Sequence, residues 1–338
     1  MYIKNKRIGK NFKTFLIAEV GLSHEGSMGL AFSLIDCVKK VGADAIKFQM
    51  HIAEEETLQN APSPDYFKSE TRFNYFKRTA FKFNEWKKLK KICKNYKVEF
   101  LCSPFSEKAV DILEKLKVDS YKVPSGELTN LPLLERLKKT KKHIYLSTGM
   151  SNWKEITTAI KLLKKNYTLL QCSSIYPCPL EQVGLNVLFE MKKKYKCEIG
   201  FSDHTLGFSA PFAAAALGAS VIEKHFTISK KMYGSDAKNS MEPEEFSFLS
   251  KNLKEIWKII KNPVNKNNIK RYRNMKKIFE KGIVSAINLS KDTILTTKNI
   301  TFKKPSDGIR AFDYKRVIGK KLKKNIKVNH KIKHKDLK

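Results

Sequence analysis

At 338 residues with 41% apolar side chains, the chain can build one large domain and a small one, and it is too apolar to be wholly disordered. The formal net charge of +34 favours anionic ligands. However, residues 251–338 alone carry 27 Lys and Arg against 6 Asp and Glu, mostly scattered lysine, and no helix-turn-helix, zinc finger or aromatic RNA-binding motif accompanies them, so no nucleic-acid partner is expected.

Residues 1–12 are basic and polar, without the apolar stretch of a signal peptide, and the longest apolar run, 209–222, is too short to span a membrane. Six cysteines show no CxxC pair and fall in apolar segments, as reduced thiols do, so a cytoplasmic protein with no membrane contact is expected. Strand-length apolar runs occupy residues 15–20, 45–49, 98–102, 120–123, 143–147, 167–172, 197–201 and 220–225. Helix-period stretches lie between and after them, at 28–41, 84–95, 107–116, 130–138, 152–164, 185–194, 208–217 and 242–260. Gly42 and Gly218 stand where helices should stop. Eight strand–helix units predict an α/β fold, a (β/α)8 TIM barrel over residues 1–262. An open doubly wound sheet is the rival, but no GxGxxG follows the first strand. Residues 263–280 turn polar and read as a linker. From 281 to 338, short β-like pieces (282–287, 293–295, 300–302, 317–318 and 326–328), punctuated by Pro305, Gly308 and Gly319, predict a small β-rich domain.

In a barrel the chemistry sits at the C-terminal ends of the strands. There the sequence places Glu19, Lys47, Gln49, Ser103, Lys122, Ser125, Glu127, Ser147, Ser173, Ser174, Ser202, His204, Glu223, Lys224 and His225. His204 and His225 end neighbouring strands and could hold one divalent ion with open positions; each could also simply hydrogen-bond a loop. Lys47 and Lys122 interrupt apolar strands, where an ammonium is costly without a counter-charge. They form either buried ion pairs with Glu19 or Glu127, or a site for a phosphate or carboxylate. The hydroxyls of Ser125, Ser147, Ser173 and Ser202 favour the second. Glu19 and Glu127 suit general acid–base work or the orienting of substrate hydroxyls, and spacing alone does not choose.

The strings AEVGLSHEGS, GADAIKFQ, SPFS, YKVPSGELTNLPLL, LSTGM, QCSSIYP, GFSDHTLG, ALGASVIEKHFT, GSDAKNSMEPEEF and KKPSDGI, in this order, resemble those of the sialic acid synthase family. That family makes N-acetylneuraminate, legionaminate and pseudaminate. The resemblance implies a (β/α)8 barrel joined to a small C-terminal SAF (antifreeze-like) domain. It also implies a domain-swapped homodimer and condensation of phosphoenolpyruvate with an N-acetyl amino sugar. A divalent metal would assist, manganese before magnesium or cobalt. By motif, His204 and His225 would be the metal ligands, and Lys47, Lys122, Ser147, Ser173 and Ser202 would hold phosphoenolpyruvate. Gln49, Tyr176, Asp236 and Lys304 would meet the sugar. Glu19 would assist proton movement or position water, and Glu127 would lie near the junction of the substrates.

Three positions depart from the family's usual pattern: Ser23 before His24 where Asn is common, Ser174 where Asn is common, and Lys304-Pro305-Ser306 in place of Arg-Pro-Gly. Lysine keeps the charge but loses the planar fork, and Arg310 stands close enough in sequence to replace it. These changes bear on which sugar is used. The rivals are another phosphoenolpyruvate-dependent synthase acting on a phosphorylated aldose, and a non-catalytic sugar- or polyanion-binding protein on the same barrel.

Overall fold

The computed structural model describes residues 2–3, 6–9, 11–62 and 70–338, so the basic opening segment is described only in part. The chain divides into two compact units, Met1–Asn262 and Pro263–Lys338.

The first unit holds eight parallel strands: β1 (Phe15–Gly21), β2 (Ala45–Met50), β3 (Glu99–Pro104), β4 (Ser120–Val123), β5 (His143–Ser147), β6 (Tyr167–Cys172), β7 (Glu198–Asp203) and β8 (Val221–His225). They hydrogen-bond in the order β3-β2-β1-β8-β7-β6-β5-β4, and β3 packs beside β4, which rolls the sheet into the predicted (β/α)8 barrel.

The strands are apolar on both faces because one face meets the helices and the other fills the barrel. Side chains alternate between the two with period two. Phe15 and Ile17 (β1), Ala45 (β2), Leu101 (β3), Tyr145 (β5), Leu170 (β6) and Val221 (β8) form one apolar layer inside the barrel, together with Ile8. Two residues further along the same strands, the same face carries Glu19, Lys47, Ser103, Ser147, Cys172 and Glu223. The interior is therefore greasy below and polar above.

The helices begin at caps written into the sequence. Ser27, Ser106 and Asn130 accept backbone N–H bonds, and Asn152 forms a capping box with Glu155. Gly42 (φ +78°) and Gly218 (φ +95°) end helices in the left-handed region, as their positions in the sequence predict. The connection after β2 adds two helices that sequence periodicity does not show, Ala53–Glu56 and Arg72–Thr79, each too short to display a helical repeat.

In the second unit, Gly282–Ser285 pairs antiparallel with Ile300–Lys303 over a small core that includes Ile283, Leu295, Val317 and Ile332. The structure adds detail here. The stretch 263–280, read from the sequence as a linker, contains a 3-10 turn, Lys270–Tyr272, and a helix, Arg273–Phe279. The β-like pieces at 293–295 and 326–328 make only single bridges, Ile294 to Lys321 and Leu289 to Ile326, while 317–318 follows a 3-10 helix, Ala311–Arg316. Runs of two or three apolar residues can bury side chains in so small a core without extending a ladder. All six cysteines are unpaired, and among the described residues no helix is long and apolar enough to cross a membrane.

Gly200 on β7 faces the barrel interior, where an added Cβ would meet the Leu170 side chain at 2.4 Å and the Val221 carbonyl at 2.7 Å. Backbone cannot yield as a flexible side chain can. Gly200→Ala should therefore cost roughly 1–3 kcal/mol, read as a lowered denaturation midpoint of the barrel unit.

Candidate active site

A cavity of about 410 Å³ opens at the C-terminal ends of the strands. At its inner end two lysines share one carboxylate. Glu223 Oε1 lies 3.3 Å from Lys47 Nζ and 3.1 Å from Lys122 Nζ, and it accepts a 2.9 Å hydrogen bond from Ser202 Oγ. Lys47 also stands 3.1 Å from Glu19 Oε2. All four charged side chains are buried.

Their protonation follows from this geometry. Burial acts to raise the Glu223 carboxyl, but Lys122 and Lys47 together overcome it and hold the group at about 2. Burial raises the Glu19 carboxyl to about 7, because one lysine offsets it only in part and the charge on Glu223 adds to the rise. Burial opposes the charge on Lys47, yet Glu19 and Glu223 outweigh it and hold this ammonium above its usual value. Burial pulls Lys122 below its usual value. Two ammonium groups thus face one firmly ionised carboxylate and one whose charge burial opposes, so the cluster leans positive. The hydroxyls of Ser147 and Ser174 are buried beside it without a hydrogen-bond partner. An unmet buried hydroxyl costs about 1–3 kcal/mol, so a positive, donor-lined pocket of this kind is built for an anion.

Nearer the mouth, Gln49 Nε2 donates to Glu19 Oε1 at 2.7 Å. The chain turns through Gly21 at φ +49°, where a Cβ would come within 3.2 Å of Gln49 Nε2 and of Asp236 Oδ2, so glycine is required on both counts. His204 Nδ1 donates to the Ser173 carbonyl at 2.7 Å, which sets the tautomer and leaves Nε2 as a ligand atom. His225 Nδ1 is buried without a hydrogen bond, 3.9 Å from Asp236 Oδ2. Burial pushes His225 well below its usual value, which keeps the imidazole neutral. The two rings stand 5.6 Å apart between centroids, and the Tyr176 ring lies against His204 at 4.0 Å, tilted by 32°.

The whole chain can be set beside known proteins. Residues 34–265 match the model of the NeuB family. The chain is 36% identical to the N,N'-diacetyllegionaminic acid synthase of Campylobacter jejuni, over 93% of this chain and 97% of that protein. It is 30% identical to the human N-acetylneuraminate-9-phosphate synthase, over 93% and 90% of the two chains. Among solved structures it superposes on an N-acetylneuraminic acid synthetase from Leptospira borgpetersenii, solved in complex with citrate, with a TM-score of 0.73 at 31% identity, covering 81% of this chain and 96% of that one. It belongs to the sialic acid synthase family.

Within this family member the barrel brings together Glu19, Lys47, Gln49, Lys122, Ser147, Tyr176, Ser202, His204, His225 and Asp236 in one cavity. Two residues of the barrel named from the sequence do not line it, and a third belongs to the other unit. Ser173 meets the site through its backbone carbonyl, and its side chain is not in the cavity wall. Glu127 accepts from Asn130 Nδ2 at 2.7 Å, just before the helix Leu131–Lys139, and also lies outside the wall. Lys304 belongs to the second unit, with its Nζ 5.2 Å over the Phe279 ring, and Arg310 there is bonded to Asp313. Ser125, named among the anion-binding hydroxyls, lines the cavity too, and Glu223, Ser174, His51, Arg72 and Tyr75 line it without having been given a role. Glu223 was recoverable, since it shares the inward face with Val221. The helix carrying Arg72 and Tyr75 left no such signal.

The donor set fits a divalent ion. Two imidazoles on adjacent strand ends converge, while no closed cage of three or more His, Cys, Asp or Glu side chains exists among the described residues. Such an ion would be held by His204 and His225 and would keep positions open for oxygen ligands.

Removing the shared counter-charge is the sharpest test of the cluster. Glu223→Gln removes the ion-pair partner of Lys122 and leaves Lys47 with Glu19 alone, and we expect a loss on the order of 3–5 kcal/mol in stability, measured by chemical denaturation. An unchanged midpoint would contradict the charge assignment.

Proposed function

We propose that this protein is a nonulosonic acid synthase, condensing phosphoenolpyruvate with an N-acetylated hexosamine and releasing phosphate in a reaction that depends on a divalent cation. The supporting observation is the buried Lys47–Glu223–Lys122 cluster with its unsatisfied serine hydroxyls, whose Glu223 stands two residues before His225 on the same strand. An acceptor of the N-acetylmannosamine or diacetylated 6-deoxyhexose class accords with the products named for the relatives.

In this reading Lys47, Lys122, Ser147 and Ser202 hold the phosphate and carboxylate of phosphoenolpyruvate, with Ser174 as a further donor. A divalent ion on His204 and His225, manganese in the first instance, would polarise the aldehyde of the open-chain sugar. Gln49, Tyr176 and Asp236 orient that sugar so that its C1 meets C3 of phosphoenolpyruvate. The new C–C bond leaves positive charge at C2. Water adds there and gives its proton to Glu19, and the C–O bond to phosphate then breaks. Glu19 suits the task because burial has brought its carboxyl to about 7, where it can both take and return a proton. The fixed charges around C2 are in place before the reaction begins, which is where such sites gain most of their rate.

The test is phosphate release from phosphoenolpyruvate with manganese and a panel of N-acetylated acceptors. Release should require one acceptor, stop with a chelator and return with the metal. His204→Ala together with His225→Ala should abolish both metal affinity and turnover. Release that persists under chelation, or absent binding of phosphoenolpyruvate, would refute the reading.

Glu19 acting as a base must be ionised, so kcat/KM should fall as pH drops through about 7. Glu19→Gln should remove that limb and lower kcat by roughly 10²–10⁴-fold, while phosphoenolpyruvate binding persists.

A further inference from the structure

His51 lies immediately after β2, buried, with both ring nitrogens engaged. Nδ1 stands 3.0 and 2.9 Å from the two oxygens of Glu56, the last residue of the helix Ala53–Glu56, and Nε2 stands 3.0 Å from Gln49 Oε1. The amide passes the contact on, through Nε2, to Glu19 Oε1 at 2.7 Å. Glu56, His51, Gln49 and Glu19 thus form one hydrogen-bonded row ending at the carboxyl inside the cavity. The imidazole cannot swing out of it. Phe76 stacks on one face (3.8 Å between centroids, 8° between planes) and Phe105 on the other (4.0 Å, 23°).

The row has a direction. An amide oxygen only accepts and an amide nitrogen only donates. Nδ1 faces the Glu56 carboxylate and Nε2 faces the Gln49 oxygen, so both contacts are satisfied only when the ring carries a proton on each nitrogen, paired with Glu56; the Gln49 NH2 then points at Glu19. Without the Nε2 donor, the flipped amide is opposed only by an ionised Glu19, acceptor against acceptor, and that opposition is lost whenever Glu19 takes a proton. The fold alone does not call for a histidine here, since an apolar ring would fill the slot between two phenylalanines without desolvating two polar nitrogens.

We propose that His51 is a positioning residue of this active site: its Nε2–H locks the Gln49 amide with nitrogen toward Glu19, leaving the second Gln49 N–H for the acceptor sugar. The proposal rests on the reading of Glu19 and Gln49 as groups that meet the acceptor. The competing account of the same contacts is that His51 merely anchors the helix Ala53–Glu56 through Glu56.

Three substitutions separate the two. His51→Phe keeps the aromatic stack and removes both donors. His51→Gln can set an N–H near the position of Nε2, whereas His51→Asn can set one only near Nδ1, facing Glu56. Each variant is compared with the unmodified protein for thermal midpoint, phosphoenolpyruvate affinity, and kcat and KM for the acceptor. We expect His51→Phe and His51→Asn to lower kcat/KM for the acceptor by roughly tenfold or more, with phosphoenolpyruvate affinity unchanged and recovery in His51→Gln. In the ligand-free protein, the Gln49 side-chain amide signal in a ¹H–¹⁵N spectrum should be slow to exchange with solvent, and should become fast in His51→Phe and His51→Asn but not in His51→Gln. Rescue by Asn equal to that by Gln, or a slow Gln49 amide in His51→Phe, overturns the proposal. If the unmodified protein turns over no acceptor, the proposed function fails, and the amide signal still decides the role of His51.

Discussion

Everything at the top of this barrel depends on one carboxylate serving two ammonium groups. Glu223 lies between Lys47 and Lys122 with almost no access to water and is the counter-charge the two lysines share, while Glu19 is a further partner for Lys47 alone. With burial opposing the charge on Glu19, the cluster leans positive and an incoming anion completes it. The nearby hydroxyls of Ser147 and Ser174 are incomplete in the same sense. Stability and affinity are therefore set by the same atoms. A permanently ionised group in place of Glu19 would make a quieter interior and weaken the reason for an anion to enter.

Glu19 is the exception that gives the site its flexibility. It shares Lys47 with Glu223 but does not reach Lys122 closely, so burial wins and its proton becomes exchangeable near neutrality. Two glutamates on adjacent strands thus take opposite roles, one a permanent charge and one a variable one. The difference arises from the number of lysines each touches, not from residue type.

Much of this was legible in the sequence. Strand-length apolar runs placed all eight strands, because a barrel strand is buried on both faces and its polar interruptions mark the upper rim. Lys47 and Lys122 stood out as charges inside apolar runs, and His204 and His225 as histidines at run ends. What stayed hidden depended on distance across the barrel. That Glu223, rather than Glu127, is shared by both lysines follows from which faces point inward, whereas Glu127 accepts from the side chain of Asn130, the N-cap of the next helix. For Ser173, position in the sequence did not show that the backbone carbonyl is what meets His204. The helix bearing Arg72 and Tyr75 was invisible, being a short polar run without a repeat. In the second unit, short apolar runs signalled burial correctly and strand pairing only in part.

The bond from His204 to the Ser173 carbonyl carries one more consequence. Every residue at position 173 has a carbonyl, so the tautomer of His204 is guaranteed by the path of the chain rather than by the letter in the sequence. Substitutions at 173, whose side chain lies outside the cavity wall, can thus change the packing behind the site while the imidazole keeps the same nitrogen free. The chemistry at this point is insured against changes in its own supporting residue.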